Sequence, residues 1–195
     1  GDSVVNTVPD SKGSHDDGGF KAALGEADAF FDRLAAVMLV DVMPGRKDMS
    51  NVSLPQEPLH PLLFNKVRKR RSFKAVRNPY VADDLGGGFS VLGTSGQPVQ
   101  DMLRCSMIPT ALDALCLCFE ASHIAPTAPD TLSTQPLKVS DPFIINIAPH
   151  LLFSSNHASA AYRWHASRDA GNERSGGTQC VIVPAFNLEQ SIVLV

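Results

Sequence analysis

The sequence predicts a layered α/β fold on two observations. From residue 20 to 37 the apolar residues Ala23, Leu24, Ala27, Phe30, Phe31, Leu34 and Val37 recur at intervals of three and four, the spacing of one helical face. That face leads directly into residues 37–43, a short apolar run of strand composition, and a helix-to-strand step of this kind builds parallel sheets. Further strand-like runs, a second helical stretch and closing hairpins follow in alternation. A chain of 195 residues with 44% hydrophobic content is long enough and apolar enough to form one domain with a sizeable core.

Taken in order, residues 6–19 are polar and rich in Gly, Asp and Ser, with little to bury, and are predicted to form a loop. The helix over 20–37 is expected to pack its apolar face on a sheet, and 37–43 to be a buried strand. Residues 54–64 contain Pro55, Pro58 and Pro61, each without an amide hydrogen, so they are predicted to run as an extended connector. Segments 73–80 and 89–92 have strand composition and flank Gly86, Gly87 and Gly88, which suggests a hairpin. Residues 99–121 are helical in character, with a break expected at Pro109. Segments 143–147 and 151–153 are predicted as short buried strands, 165–177 as a polar loop, and 180–186 with 192–195 as a terminal hairpin around 187–190. There is no internal repeat and no heptad pattern.

Composition narrows the function classes. The formal net charge is −3, so bulk electrostatics do not announce a nucleic-acid binder. The four cysteines, at 105, 116, 118 and 180, form no C-x-x-C pair, which argues against a zinc site or disulfide framework and predicts buried free thiols. No apolar run approaches the roughly 18 residues of a membrane span and no secretory leader is visible, so an intracellular setting is expected. Both ends of the sequence look cut from something longer.

Several residues invite chemistry. The loop Gly93-Thr94-Ser95-Gly96-Gln97 lies between a strand and a helix and could cradle a phosphate, but it lacks the GK[ST] of a P-loop, so a strand-to-helix turn is favoured. His123 and Asp130, set among prolines, are expected to fix loops by hydrogen bonds, as is His60, while His150 is expected to pack at a strand edge. Lys66, Arg68, Lys69, Arg70, Arg71, Lys74 and Arg77 form a dense basic run. It admits phosphate contact, a partner-protein contact or a solvated face.

The turn Gly45-Arg46-Lys47-Asp48 after the predicted strand resembles the G-N-H-D signature of calcineurin-like metallophosphoesterases, with cations at the two central positions. In order along the chain, LPQEPLHP at 54–61, NPY at 78–80, LGTSGQ at 92–97, HIAPTAPDTL at 123–132, DPF at 141–143 and VPAF at 183–186 are similar to one family. It is the small regulatory, B-type subunit of eukaryotic DNA polymerase delta. The resemblance covers nearly all of the chain from about residue 20. It implies an α/β sandwich of the metallophosphoesterase type, of which this is the C-terminal portion, with an N-terminal OB domain and the first half of the phosphodiesterase-like domain lying upstream.

It also implies a lost metal site. Asp2 stands where the family pattern has a metal-bridging Asp, while Val5 takes the place of a second. Arg46 and Lys47 stand at the Asn and His positions beside Asp48, Leu92 at that of a His, and Ser155, Asn156 and Ala158 where a G-H-x-H strand end would be, with His157 one residue out of register. A two-metal phosphoesterase needs several such donors around cations about 3.5–4 Å apart, and Arg or Lys there adds Coulomb repulsion. A cation paired with Asp2 or Asp48 would substitute for the metal.

The implied function is a non-catalytic accessory subunit acting in DNA replication in the nucleus, without a cofactor. Its implied partners are the cysteine-rich C-terminal module of the catalytic subunit, the third subunit, and DNA through the complex. The alternative is an active metal-dependent phosphoesterase or nuclease using Asp2, Asp48, His123 and His157. The isolated piece is not expected to fold alone, since the missing half would leave a sheet edge and apolar faces uncovered.

Overall fold

A computed structural model describes residues 17–136, 140–166, 177–190 and 192–194. It is a mixed α/β structure with sheets flanked by helices, and it divides into two compact units. One comprises the described residues up to Val52 together with Gln56–Asn78; the other comprises Ser53–Pro55 and the chain from Pro79 onward. No helix among the described residues is long and apolar enough to cross a membrane.

In the first unit, helix α1 (Asp17–Ala35) packs beside a parallel strand pair, β1 (Val40–Val42) and β2 (Phe73–Ala75), with Val40 opposite Phe73. Leu24 and Phe31 of α1 meet Val42, Leu59, Phe64, Val67 and Phe73 in one apolar cluster. Phe64 anchors it, with its ring edge-on to Phe31 at 5.9 Å and to Phe73 at 5.6 Å. Asp28 interrupts this helix face. Its buried carboxylate accepts the amides of Asn65 at 3.0 Å, Lys66 at 2.9 Å and Val67 at 3.0 Å, at the start of a 3-10 turn (Val67–Lys69) whose first amides have no partner within the turn itself.

The predicted helix is present, yet Phe30 and Val37 are exposed and do not join the packed face. Its first turn also reaches back to residue 17, into the stretch expected to be a loop; positions 6–16 lie outside the described residues. The strand expected over 37–43 is confined to Val40–Val42, because Val37 and Met38 still donate to the Leu34 carbonyl at 3.0 and 3.1 Å and so close the helix. Both side chains are exposed at the helix end rather than buried in a strand.

The second unit is built on a five-stranded sheet of order β3-β4-β5-β7-β6, from β3 (Tyr80–Ala82), β4 (Val91–Thr94), β5 (Leu151–His157), β6 (Ala161–Ala166) and β7 (Gly177–Pro184). The β4–β5 and β5–β7 pairs are parallel and the two outer pairs antiparallel. Side chains alternate: Leu152, Cys180 and Ile182 join the cluster built with helices α2 (Gln97–Cys105) and α3 (Ala111–Glu120), whereas Leu151 and Val181 join Val91, Tyr80 and Phe153 on the other face. The break at Pro109 falls between the two helices, and the Thr110 hydroxyl caps α3 by accepting the Asp113 amide at 3.1 Å.

Four expectations need correction here. Segment 73–80 is not one strand: β2 pairs with β1, the chain leaves the ladder, and the hairpin partner of β4 is Tyr80–Ala82. Segment 143–147 makes only a single bridge, Ile144 with His123, because Phe143 turns inward to a fully packed site. The closing hairpin is formed by β7 with β6 rather than with 192–194, which is not in a strand; β6 escapes a periodicity reading because Arg163 and His165 make its inward side polar. Of the residues expected to form a loop at 165–177, His165, Ala166 and Gly177 belong to strands, and 167–176 lie outside the described residues. Cys116, Cys118 and Cys180 are buried free thiols as expected, while Cys105 is exposed.

Replacing Asp28 by Ala is expected to cost about 3–5 kcal/mol, since it strands three main-chain amides, one of them fully buried. Urea unfolding of the intact protein checks it, with a midpoint shift at unchanged slope as the expected result.

Candidate functional site

The Gly-bracketed loop joins β4 to α2 and is held by the end of β5. Gly96 has φ +108°, and a Cβ there would lie 2.2 Å from the Ser155 carbonyl oxygen, so only glycine fits both the turn and the neighbouring strand. Asn156 makes the reciprocal contact: its side-chain amide donates to the Ser95 carbonyl at 2.9 Å, and its own carbonyl accepts from the Gln100 side chain at 2.9 Å. It can do so because it sits at φ +62°, in the register irregularity between Ser154 and His157, a conformation Asn tolerates. Ser95 is buried, and its hydroxyl donates to the Gln97 side-chain oxygen at 2.6 Å. The loop is a built strand-to-helix turn.

His157 closes the end of β5. It is buried, its Nε2 lies 2.7 Å from the Ser154 hydroxyl, and burial pushes its pKa down to about 4. Leu92 packs against the helix-side core, and Ala158 is exposed just beyond β5. In the first unit Arg46 and Lys47 are exposed in the turn after β1, whereas Asp48 is buried and accepts the Gly45 amide at 2.8 Å. Gln56 secures the same turn, donating to the Gly45 carbonyl at 3.1 Å and the Asn51 carbonyl at 2.8 Å while accepting from the Asn78 side chain at 2.7 Å. Asp2 lies outside the described residues. Among the described residues, no group of three His, Cys, Asp or Glu is placed to hold a metal ion.

The remaining motif residues tie loops. His123 Nδ1 accepts the Ala125 amide at 3.2 Å, which leaves Nε2 to carry the proton and donate to Asp141 at 3.0 Å. Asp141 in turn accepts the Phe143 amide at 2.9 Å; burial would raise its carboxyl, but these bonds outweigh that and hold it below the usual range. Asp101, buried on α2, is likewise held low despite burial by bonds from Thr131 and Arg104. Asp130 is exposed. His60 accepts the Leu62 amide at 3.2 Å, and His150 Nδ1 accepts from the Ser90 hydroxyl at 2.8 Å with its ring stacked on Phe89.

The basic run is exposed but not uniform. Arg70 is fixed to Asp32 by a two-pronged contact of 2.5 and 3.0 Å, which lowers the Asp32 carboxyl, and Arg77 pairs with Glu57 at 3.1 Å. Lys66, Arg68, Lys69, Arg71 and Lys74 face solvent. Sequence reading missed Asp28 and the polar side of β6, where Arg163 reaches Asp113 at 2.9 Å and His165 reaches Glu120 at 2.9 Å. A carboxylate between Ala27 and Ala29 on an apolar stripe was the available signal for Asp28.

These features define a mixed α/β protein in which the motif residues bind loops to one another. The chain belongs to the B-subunit family of DNA polymerases alpha and epsilon, whose model matches residues 6–162. It is 38% identical over 175 residues to DNA polymerase delta subunit 2 of Drosophila melanogaster, which is 89% of this chain and 38% of that protein. It is 38% identical over 131 residues to the DNA polymerase delta small subunit of Arabidopsis thaliana, 67% of this chain and 29% of that one. With the small subunit from Saccharomyces cerevisiae it shares 30% over 165 residues, 69% and 33% of the two chains. The chain thus spans 29–38% of the length of these relatives.

The depressed His157 pKa has a definite sign. The folded protein holds the ring neutral while the unfolded chain takes up a proton below about 6.5, so stability is complete above that pH and declines as pH falls toward 4. Between pH 7 and 5 the loss from this residue is expected to be about 2 kcal/mol. Denaturant unfolding of the parent and His157→Gln at both pH values checks it, the variant losing less stability on acidification.

Proposed function

We propose that this chain is the C-terminal part of an inactive phosphodiesterase-like domain in a non-catalytic accessory subunit of replicative DNA polymerase delta. The upstream part would supply an OB domain and the first half of the phosphodiesterase-like domain. The subunit scaffolds the catalytic chain, through its cysteine-rich C-terminal module, and the third subunit, and acts in the nucleus during DNA replication. The observation that carries this is the family match over residues 6–162 together with the 38% identity to a polymerase delta subunit.

The donor chemistry supports the inactive reading. Arg46 and Lys47 cannot ligate a cation, Leu92 and Ala158 offer no donor atom, and the Asn156 side chain is already bonded to the Ser95 carbonyl. Asp48 uses one carboxylate oxygen to close its own turn.

Two measurements on the full-length subunit test the proposal. Mixed with the catalytic subunit's C-terminal module, it is expected to elute as a stable complex. With Mn²⁺ and single-stranded DNA or a phosphodiester dye it is expected to give no turnover above background. Turnover lost in Asp2→Ala would instead make it a phosphoesterase.

A further inference from the structure

The two loops that enter β1 and β2 lie side by side. The strands are parallel, and the Val40 amide donates to the Ser72 carbonyl at 2.7 Å, so residues 37–39 and 68–71 emerge at the same end of the pair. The Ser72 hydroxyl donates to the Ala35 carbonyl and holds the second loop against the end of α1. On the first loop Val37, Met38 and Leu39 are 78, 55 and 84% exposed. On the second, Arg68, Lys69 and Arg71 face solvent, and none of their side chains has an ion-pair or hydrogen-bond partner among the described residues. Arg70, between them, is turned back onto Asp32.

Three adjacent aliphatic side chains in water are a standing hydrophobic cost, relieved only by an apolar surface. Three cations beside them without a partner among the described residues call for anions. A nucleic-acid backbone supplies phosphates but has no aliphatic surface to cover Met38 and Leu39. We infer that this edge of the first unit docks an acidic segment of another polypeptide, one that carries aliphatic side chains among its carboxylates. The 3-10 turn that carries Arg68 and Lys69 is tied at its start to Asp28, and Arg71 follows just after it, so less order has to be gained on binding. The inference rests on this surface and not on the polymerase assignment, and either can fail without the other.

The test uses the full-length protein and a labelled peptide of about 18 residues, Glu- and Asp-rich, with Leu at helical spacing. Its controls are the same peptide with Ser for Leu, and a DNA duplex. Micromolar binding of the Leu peptide is expected, weakened about tenfold or more by R68E/K69E/R71E and about fivefold by M38S/L39S, with the Ser peptide much weaker. M38S/L39S is expected to leave duplex binding unchanged. All five side chains are exposed, so unchanged melting temperatures are expected to accompany the loss. Absence of peptide binding, loss on charge reversal only, or a duplex bound more tightly than the peptide would overturn the inference, the last in favour of a nucleic-acid surface.

Discussion

The first unit depends on one buried carboxylate. Asp28 sits in the middle of α1, where an apolar residue would otherwise complete the packed face, and receives three successive main-chain amides from 65–67. The flanking residues Phe64 and Val67 are in the core, so the chain is pinned by packing and by charge-assisted hydrogen bonds at the same point. One helical turn further on, Asp32 holds the side chain of Arg70. Two carboxylates at i and i+4 share a helix face, and here one fixes the main chain of the basic run while the other fixes one of its side chains. The run therefore begins from a defined position instead of trailing as a solvated loop.

In the second unit the equivalent task falls to close backbone approach. Gly96 and Gly93 admit neighbours that any side chain would displace, the Ser155 carbonyl and the Phe153 ring respectively. Asn156 then adopts a left-handed conformation and bonds back to the loop that Gly96 opens. Thr94, Ser95, Ser154 and His157 are buried polar groups, none of them without a partner, as burial of a polar group requires. A group committed in this way is stabilising where it stands and is poorly placed to move a proton or bind a substrate.

The α/β class and most helices were legible, because three- and four-residue spacing, Pro109 and the Gly86–Gly88 cluster act locally. Strand partners were not. The 73–80 run starts with strand composition but carries Asn78-Pro79 near its end, and Asn78 is fully buried and bonded to Gln56, a long-range pairing that fixes where the run divides. β6 was invisible for the opposite reason: Tyr162 and Trp164 are exposed while Arg163 and His165 turn toward α3, so the usual apolar-inward pattern is reversed. For the site, the loop-fixing character of His123 and His60 could be read from the prolines near them. The Asp141 partner of His123, eighteen residues away, could not.

Net charge also says little about the basic run, for a physical reason. At physiological ionic strength fields decay over about 8 Å, so the carboxylates that bring the total to −3 cannot neutralise a patch unless they touch it. Two of them do, Asp32 at Arg70 and Glu57 at Arg77. Both contacts are exposed ion pairs, which contribute little to stability, and their main effect is to subtract from the charge on display. Lys66, Arg68, Lys69, Arg71 and Lys74 are left facing solvent, and of these Arg68, Lys69 and Arg71, on and just after the 3-10 turn, lie beside the apolar residues that follow α1. The motif residues His123, Asn156 and Gln56 are committed to internal junctions, whereas these cations are left on the surface of the first unit.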